Sequence, residues 1–206
     1  MPEAAAAPFS KLLKNLDILR MILEQMNLPA INCMGRTCQI VRPVAFLVSS
    51  TRFFSIIKQF FPTQLSSFST ALTKSHGIIT GSCALDMLLG LEGDEPSDLN
   101  IIVPLAGLSK IQNFLRSAHF TEHAHSNVHR TMASCTNQFH LYTHDTKMVT
   151  ISQTKSSDVL DAVINSPSTA DMTFMTAGGQ KVFSSATGTY VILCKNMCGI
   201  HKQSGD

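Results

Sequence analysis

The polar residues best placed for chemistry lie in the stretch 77–104, each beside a short apolar run. A Gly81-Ser82 pair follows one run, and Asp98 and Asn100 stand one leucine apart at the start of another. Side chains on a strand alternate between its faces, so Asp98 and Asn100 should point to the same side. A glycine at a tight turn lets backbone amides approach a ligand closely. This spacing predicts a polar cleft that presents a hydroxyl, a carboxylate and an amide.

The elements that would position these groups follow from the apolar spacing. Alternating or short buried runs predict strands over 78–80, 98–103, 138–144, 148–152, 181–183 and, as an edge strand, 171–174. Apolar residues at helical spacing predict helices over 84–91, 107–120 and 159–164. A tight turn at 145–147 would close a hairpin between two of the strands. Together these elements predict a mixed α/β (α+β) protein.

The first sixty residues predict a separate helical segment. Five apolar residues share one face of a first helix, namely Leu16, Leu19, Ile22, Leu23 and Met26. Pro29 opens a second helical stretch and Pro43 interrupts it. The aromatic run 53–61 should be buried between the helices and the sheet. The Ser/Thr-rich stretch 62–75 would join the two parts.

Composition narrows the class of protein. Of 206 residues, 44% are hydrophobic and 15% charged, which excludes a disordered acidic or basic tail. A net charge of +2 gives no electrostatic signal for nucleic acid. No apolar run approaches the about 20 residues that span a bilayer, and the start lacks a secretory signal. The six cysteines form no disulfide framework, and the expected location is intracellular, cytoplasmic or nuclear.

The glycine-serine turn, helix and Asp98-Leu99-Asn100 strand resemble the nucleotidyltransferase fold of the polymerase-beta type. That family has two carboxylates one residue apart on this strand and a third on a later strand, between two apolar residues. Under this resemblance Asp98 is the first carboxylate, Asn100 replaces the second, and Thr150 replaces the third. The resemblance implies a mixed sheet flanked by helices and a cleft lined by Gly81, Ser82, Asp98, Asn100 and Thr150.

Replacement of two carboxylates by neutral side chains should weaken the binding of metal ions. Nucleotidyl transfer uses two divalent ions, and magnesium prefers anionic oxygen ligands. One aspartate with an amide and a hydroxyl lacks about two of the negative charges that such a site needs. Four nearby acids could substitute: Asp86, Glu92, Asp94 and Glu95. The expectation is a degenerate site without a resident metal. Mg²⁺ and nucleotide would bind only if the cleft is functional, and Asp98 would be catalytic only if the enzyme is active.

A second resemblance concerns residues 16–48, which are similar to an F-box, the helical bundle that docks onto a cullin-ligase adaptor. The usual Leu-Pro start and late Trp are absent; a helical cap on one face of the domain is the alternative. In order, the elements resemble a group of proteins from mushroom-forming fungi that join such a head to a nucleotidyltransferase-like domain. The implied organisation is a flexible N-terminus (1–15), a helical F-box-like segment (16–61), a joint (62–75), the nucleotidyltransferase-like domain (76–190) and a C-terminal tail (191–206).

Two sets of residues have ligand types that suit zinc. Six histidines lie close together in sequence: His119, His123, His125, His129, His140 and His144. Near the end of the chain, Cys194, Cys198 and His201 are closely spaced. Zinc needs three or four ligands that converge at about 2 Å, which sequence spacing alone does not show. The expectation is a polar histidine-rich loop and inward-facing cysteines, with no metal site.

These observations leave three hypotheses for function. The first is a catalytically inactive nucleotidyltransferase-fold protein that acts as a binding or adaptor module, with a nucleotide as the candidate ligand. The second is an active metal-dependent nucleotidyltransferase that uses Asp98. The third is an F-box-type adaptor that recruits a ubiquitin ligase, with a protein partner bound through residues 16–61. Neither a membrane nor a nucleic acid is an expected partner.

Overall fold

A computed structural model describes residues 15–90, 96–123, 134–166, 172–177, 181–184 and 189–192. Its helices are α1 (Leu16–Glu24), α2 (Leu28–Thr37), α3 (Val41–Lys58), α4 (Leu65–Lys74), α5 (Ser82–Leu89), α6 (Leu108–Ser117) and α7 (Leu160–Ile164). Its strands are β1 (Ile78–Thr80), β2 (Asp98–Val103), β3 (Thr121–His123), β4 (Thr136–His144), β5 (Lys147–Thr154), β6 (Phe174–Met175), β7 (Lys181–Ser184) and β8 (Thr189–Ile192). None of these helices is both long enough and apolar enough to cross a membrane.

The strands of the described ranges form one sheet in the order β3-β4-β5-β2-β1-β6-β7-β8. Strands β2 and β5 are parallel, and every other neighbouring pair is antiparallel. The mixed α/β sheet that the sequence predicts, with its helical N-terminal segment, is therefore confirmed. The predicted edge strand over 171–174 is wrong in position, because β6 lies inside the sheet and pairs with both β1 and β7.

Side-chain caps and prolines define the starts of the N-terminal helices. Asn15 caps α1 by accepting a hydrogen bond from the backbone N–H of Ile18, and Asn27 caps α2 in the same way. Pro29 lies in the first turn of α2, as predicted. Pro43 lies in the first turn of α3 and does not interrupt a helix, because an N–H in that turn would have no intrahelical partner anyway.

The main hydrophobic core covers one face of the sheet. Alternate residues of β2 and β5 point into it, and helices α4, α5 and α6 together with the end of α3 pack over it. Phe61 is at its centre, with ring centroids 4.7 Å from Phe68 and 5.0 Å from Phe114. The predicted burial of the aromatic run is confirmed except for Phe54, which is exposed. Because Phe68 is fully buried, the stretch 62–75 contributes to this core.

A second, smaller core joins α1, α2 and the first half of α3. Its buried members are Leu19, Leu23, Ile31, Val41, Val44, Ala45 and Val48. The predicted apolar face of α1 is correct for Leu19 and Leu23 and wrong for Leu16 and Ile22, which are exposed. Helix α3 contributes to both cores and so connects the helical segment to the sheet.

Arg52 on α3 links the helical segment to α5, the helix that begins at the predicted cleft. Its Nη2 donates hydrogen bonds to the backbone carbonyls of Glu24, at 3.2 Å, and Met26, at 2.9 Å. At the end of α5, Gly90 has φ +65°, and a Cβ there would lie 2.6 Å from the guanidinium. Burial lowers the pKa of Arg52, while Asp86 and Glu24 act in the opposite direction. The guanidinium therefore occupies space that only glycine leaves open.

Candidate functional site

Three central strands place two of the predicted site residues, Asn100 and Thr150, in one row with Thr80. Thr80 of β1 is paired in register with Asn100 of β2, which is in turn paired with Thr150 of β5. Their side chains share the sheet face opposite the main core, where Thr80 and Thr150 are nearly buried. Asp98 lies two residues earlier on the same face of β2. The structure thus brings together the residues that the sequence selects.

A continuous chain of hydrogen bonds connects the row to the start of α5. Ser82 Oγ donates to Asp98 Oδ1 at 3.2 Å, and Asn100 Nδ2 donates to Asp98 Oδ2 at 2.6 Å. At the other end, Thr150 Oγ1 donates to Asn100 Oδ1. Both oxygens of Asp98 therefore accept a bond from a neutral donor. The threonine bond fixes the direction of the Asn100 amide, with its nitrogen towards Asp98.

Gly81 is the residue that permits this close approach. Its backbone has φ +72° and ψ −149°, a conformation that residues with a side chain rarely adopt. A Cβ at this position would lie 2.7 Å from Asn100 Nδ2. The glycine predicted from the turn is thus required twice, for its backbone conformation and for the space beside the amide.

Cys83 lies behind the site in surroundings that disfavour its thiolate form. Its Sγ donates to the backbone carbonyl of Asp98 at 3.3 Å, and the side chain is buried. Burial, together with the negative charges of Asp98 and Asp86, raises the pKa of the Cys83 thiol to about 12. Because the thiolate is the reactive form of cysteine, this thiol stays inert at neutral pH.

The donor set does not fit a pair of divalent cations. A two-ion site needs several anionic oxygens, and the described residues here supply a single carboxylate, one amide and otherwise only hydroxyl groups. The amide also presents its nitrogen to Asp98, and nitrogen of an amide is a hydrogen-bond donor that does not bind magnesium. The arrangement satisfies Asp98 by hydrogen bonding within the protein.

The substitute acids named from the sequence do not change this result among the described residues. Asp86 lies one turn along α5 from Ser82, and its charge acts on Arg52. Glu92, Asp94 and Glu95 lie outside the described residues.

A second polar cluster, centred on Glu122 of β3, was not selected from the sequence. His140 Nδ1 lies 2.9 Å from Glu122 Oε1, and Arg116 of α6 lies 3.3 Å from Glu122 Oε2. Partial burial alone would raise the pKa of Glu122, but His140, Tyr142 and Arg116 together hold it below its usual value. Burial and the Glu122 charge raise the pKa of Tyr142 to about 12. No local signal identifies this cluster, because its members come from three separate elements.

The histidine-rich region does not assemble a metal site within the ranges described. His140 is engaged by Glu122 and Gln138, His123 by Thr143, and His144 packs against the Phe120 ring at 5.3 Å. No group of three or more His, Cys, Asp or Glu among the described side chains could hold a metal ion. The remaining zinc candidates lie outside these ranges, namely His125, His129, Cys194, Cys198 and His201.

Comparison with solved structures finds distant structural likeness. No protein-family model and no curated protein matches the chain. The chain is similar to a solved structure of a tRNA nucleotidyltransferase complexed with a primer tRNA and an incoming ATP analog, with a TM-score of 0.36 and 11% identity. The similarity covers 59% of this chain and 32% of the other, so this chain spans about a third of that protein's length.

Proposed function

We propose that this protein is a nucleotidyltransferase-like binding or adaptor module whose cleft recognises a ligand without performing nucleotidyl transfer. The observation that carries the proposal is the bond from Asn100 Nδ2 to Asp98 Oδ2, at 2.6 Å. Where transfer chemistry needs a second anionic oxygen, this chain has an amide donor. The carboxylate is therefore used to organise the protein and not to hold an ion.

The ligand that we propose for the cleft is a nucleotide bound through its phosphate. Gly81 and the first residues of α5 bring free backbone N–H groups to the cleft, and no side chain caps this helix. Such a helix start, together with its dipole, favours a phosphate group. Ser82 is exposed at this point and adds a hydroxyl next to Asp98. Binding of this kind is independent of Mg²⁺.

Calorimetric titration with ATP and the other nucleotides, with and without Mg²⁺, tests this proposal. We expect metal-independent binding that is lost in Ser82→Ala, because the substitution removes the hydroxyl and releases Asp98. Ser66→Ala, at an exposed position of α4, is the matched control and should bind like the unmodified protein. Absence of binding for every nucleotide at millimolar concentration would remove the nucleotide from the proposal.

A residual transferase that uses Asp98 is the second candidate function. Its support is that Asp98 remains only half-buried and forms no ion pair with a described residue. The test is metal-dependent incorporation of a labelled nucleotide. Incorporation that disappears in Asp98→Ala would establish this function and would contradict the binding-module proposal.

An F-box-type adaptor is the third candidate, and the exposed surface of α1 favours it. Four apolar side chains of this helix remain accessible, with exposed fractions of 54% for Leu16, 43% for Ile18, 66% for Met21 and 41% for Ile22. Apolar side chains grouped on one helix are typical of a surface that binds another protein. Leu19 is not part of this surface, because it is 2% exposed and belongs to the core of the helical segment.

Co-purification with a Skp-type adaptor tests the third candidate. We expect capture to be abolished by Met21→Asp with Ile22→Asp, which place charges on the accessible surface without entering the core. Thr51→Asp, exposed on α3, is the control and should leave capture unchanged. Equal capture of all variants, or no capture of the unmodified protein, would show that α1 serves as a helical cap.

A further inference from the structure

We propose that the side-chain amide of Asn100 takes the place of a bound cation at Asp98, so that the cleft is organised by the protein alone. This inference rests on the proposed function of the cleft as a binding site and describes how that site is held in shape. The amide nitrogen lies 2.6 Å from Asp98 Oδ2 and so occupies a position from which a cation could contact that oxygen.

The negative charge of Asp98 is stabilised by hydrogen bonds from two neutral groups. Its two oxygens accept from the Ser82 hydroxyl and the Asn100 amide, at 3.2 and 2.6 Å. A bond from a neutral donor to an ionised carboxylate is stronger than one between neutral groups. No described lysine, arginine or histidine lies at ion-pair distance from this carboxylate. The short amide bond is thus the closest positive partial charge that the described protein gives to Asp98.

The orientation of the Asn100 amide is fixed by a hydrogen bond at each of its two polar atoms. The hydroxyl of Thr150 donates to the Asn100 carbonyl oxygen, which keeps that oxygen turned away from Asp98. On the nitrogen side Gly81 lies so close that a methyl group there would be 2.7 Å from Nδ2. If the amide turned over, its carbonyl would face the Asp98 carboxylate, and two acceptors would oppose each other. Coordination of an ion by Asn100 would require that rotation.

A single substitution, Asn100→Asp, would remove the amide donor and add a second carboxylate at the site. Aspartate has the same length as asparagine, so Asn100→Asp would place a second carboxylate beside Asp98, with the Thr150 oxygen adjacent. Two such carboxylates cannot both be ionised at this distance without a cation between them. Oxygen ligands of this kind are those that Mg²⁺ and Mn²⁺ select. The substitution should therefore convert a closed hydrogen-bond network into a cation site.

The test is titration of Mn²⁺ into the unmodified protein, Asn100→Asp and Asn113→Asp. Asn113 is exposed on α6, so its substitution makes the same change in charge away from the cleft. We expect Asn100→Asp to bind Mn²⁺ at least tenfold more tightly than the other two, with Mg²⁺ as a competitor. Its melting temperature should be lowered without metal and restored by Mn²⁺, whereas that of Asn113→Asp should not respond.

A second measurement covers the case in which Asn100→Asp does not fold. In the unmodified protein, stoichiometric Mn²⁺ should leave the backbone amide NMR signals of Gly81 and Ser82 unbroadened. Selective broadening of these signals would overturn the inference, as would equal Mn²⁺ affinity of Asn100→Asp and Asn113→Asp. Neither result depends on nucleotide, so failure of the nucleotide titration would contradict the proposed function and leave this inference standing.

Discussion

Asp98 and Glu122 are carboxylates on two strands of one sheet, and their hydrogen-bond partners differ in charge. Asp98 accepts hydrogen bonds from a hydroxyl and an amide, both neutral. Glu122 has Arg116 at 3.3 Å and His140 at 2.9 Å, two side chains that carry or acquire positive charge. Both carboxylates have a positive-φ residue in a nearby turn, but the residue types differ: Gly81 at φ +72° before α5 and His119 at φ +64° before β3.

This difference in partners indicates which physical factor stabilises the hydrogen-bond network of each carboxylate. The donors to Asp98 are neutral and do not titrate, so this network depends on how the surrounding packing positions Ser82 and Asn100. The network of Glu122 depends on charge, and therefore on pH and on salt. Packing should thus control stability at the cleft, and ionisation should control it at the outer strands.

The largest effect is expected for Gly81→Ala, which tests whether packing controls the cleft. The backbone conformation alone should cost about 1–3 kcal/mol of stability, and the new methyl group would in addition displace the Asn100 amide. Chemical denaturation of Gly81→Ala, Asn100→Ala and the double variant gives the measurement. The methyl group should cost less when Asn100 is already alanine. Additive losses would mean that the amide is not held by Gly81.

A smaller effect is expected for Glu122→Gln, which tests whether ionisation controls the outer strands. The folded-state pKa of Glu122 is below its usual value, so the carboxylate stabilises the protein above the unfolded-state pKa, about 4.3. That contribution is lost as the pH falls through the folded-state pKa. Because Glu122 is partly exposed, we expect a loss of less than about 1 kcal/mol at pH 7.

Denaturation curves at several pH values measure this effect. The difference in stability between the unmodified protein and Glu122→Gln should shrink on acidification and in high salt. Glu24→Gln serves as the comparison: it removes an exposed pair with Arg20 on α1, which should contribute about 0.2–0.5 kcal/mol, and also weakens the attraction to Arg52. A difference at Glu122 that stays constant with pH would show that its role is packing, as at Asp98.

The smallest effect is expected for His119→Gly, at the turn that connects Arg116 to Glu122. A residue with a side chain pays a steric cost at φ +64°, and glycine does not. We expect thermal denaturation to show a net stabilisation of about 0.5 kcal/mol, because the relief of about 1–2 kcal/mol of strain is partly offset by the greater conformational entropy of glycine in the unfolded chain, about 0.4–1 kcal/mol. His119→Ala keeps the steric cost and should show no gain. Stabilisation by alanine equal to that by glycine would assign the effect to loss of the imidazole and not to the backbone.

Sequence patterns predicted the local part of this structure with good accuracy. The predicted bounds of β1 and β2 match the structure. Strand β4 begins two residues earlier than predicted, and β5 begins one residue earlier and ends two residues later. The shared face of Asp98 and Asn100 follows from strand alternation alone. In α1 the pattern gave the buried Leu19 and Leu23 but misplaced Leu16 and Ile22, because apolar spacing does not reveal which flank of a helix has a neighbour.

Residue type and spacing alone determined two features of this chain: a glycine-serine turn, and a carboxylate and an amide on the same face of one strand. Both features depend only on residues that are neighbours in sequence. Tertiary structure decided which atoms meet. The direction of the Asn100 amide depends on Thr150, fifty residues away, and the Glu122 cluster joins α6, β3 and β4. The position of β6 inside the sheet was likewise set by pairing between distant strands. Such contacts arise from packing of the whole chain, and no local pattern contains them.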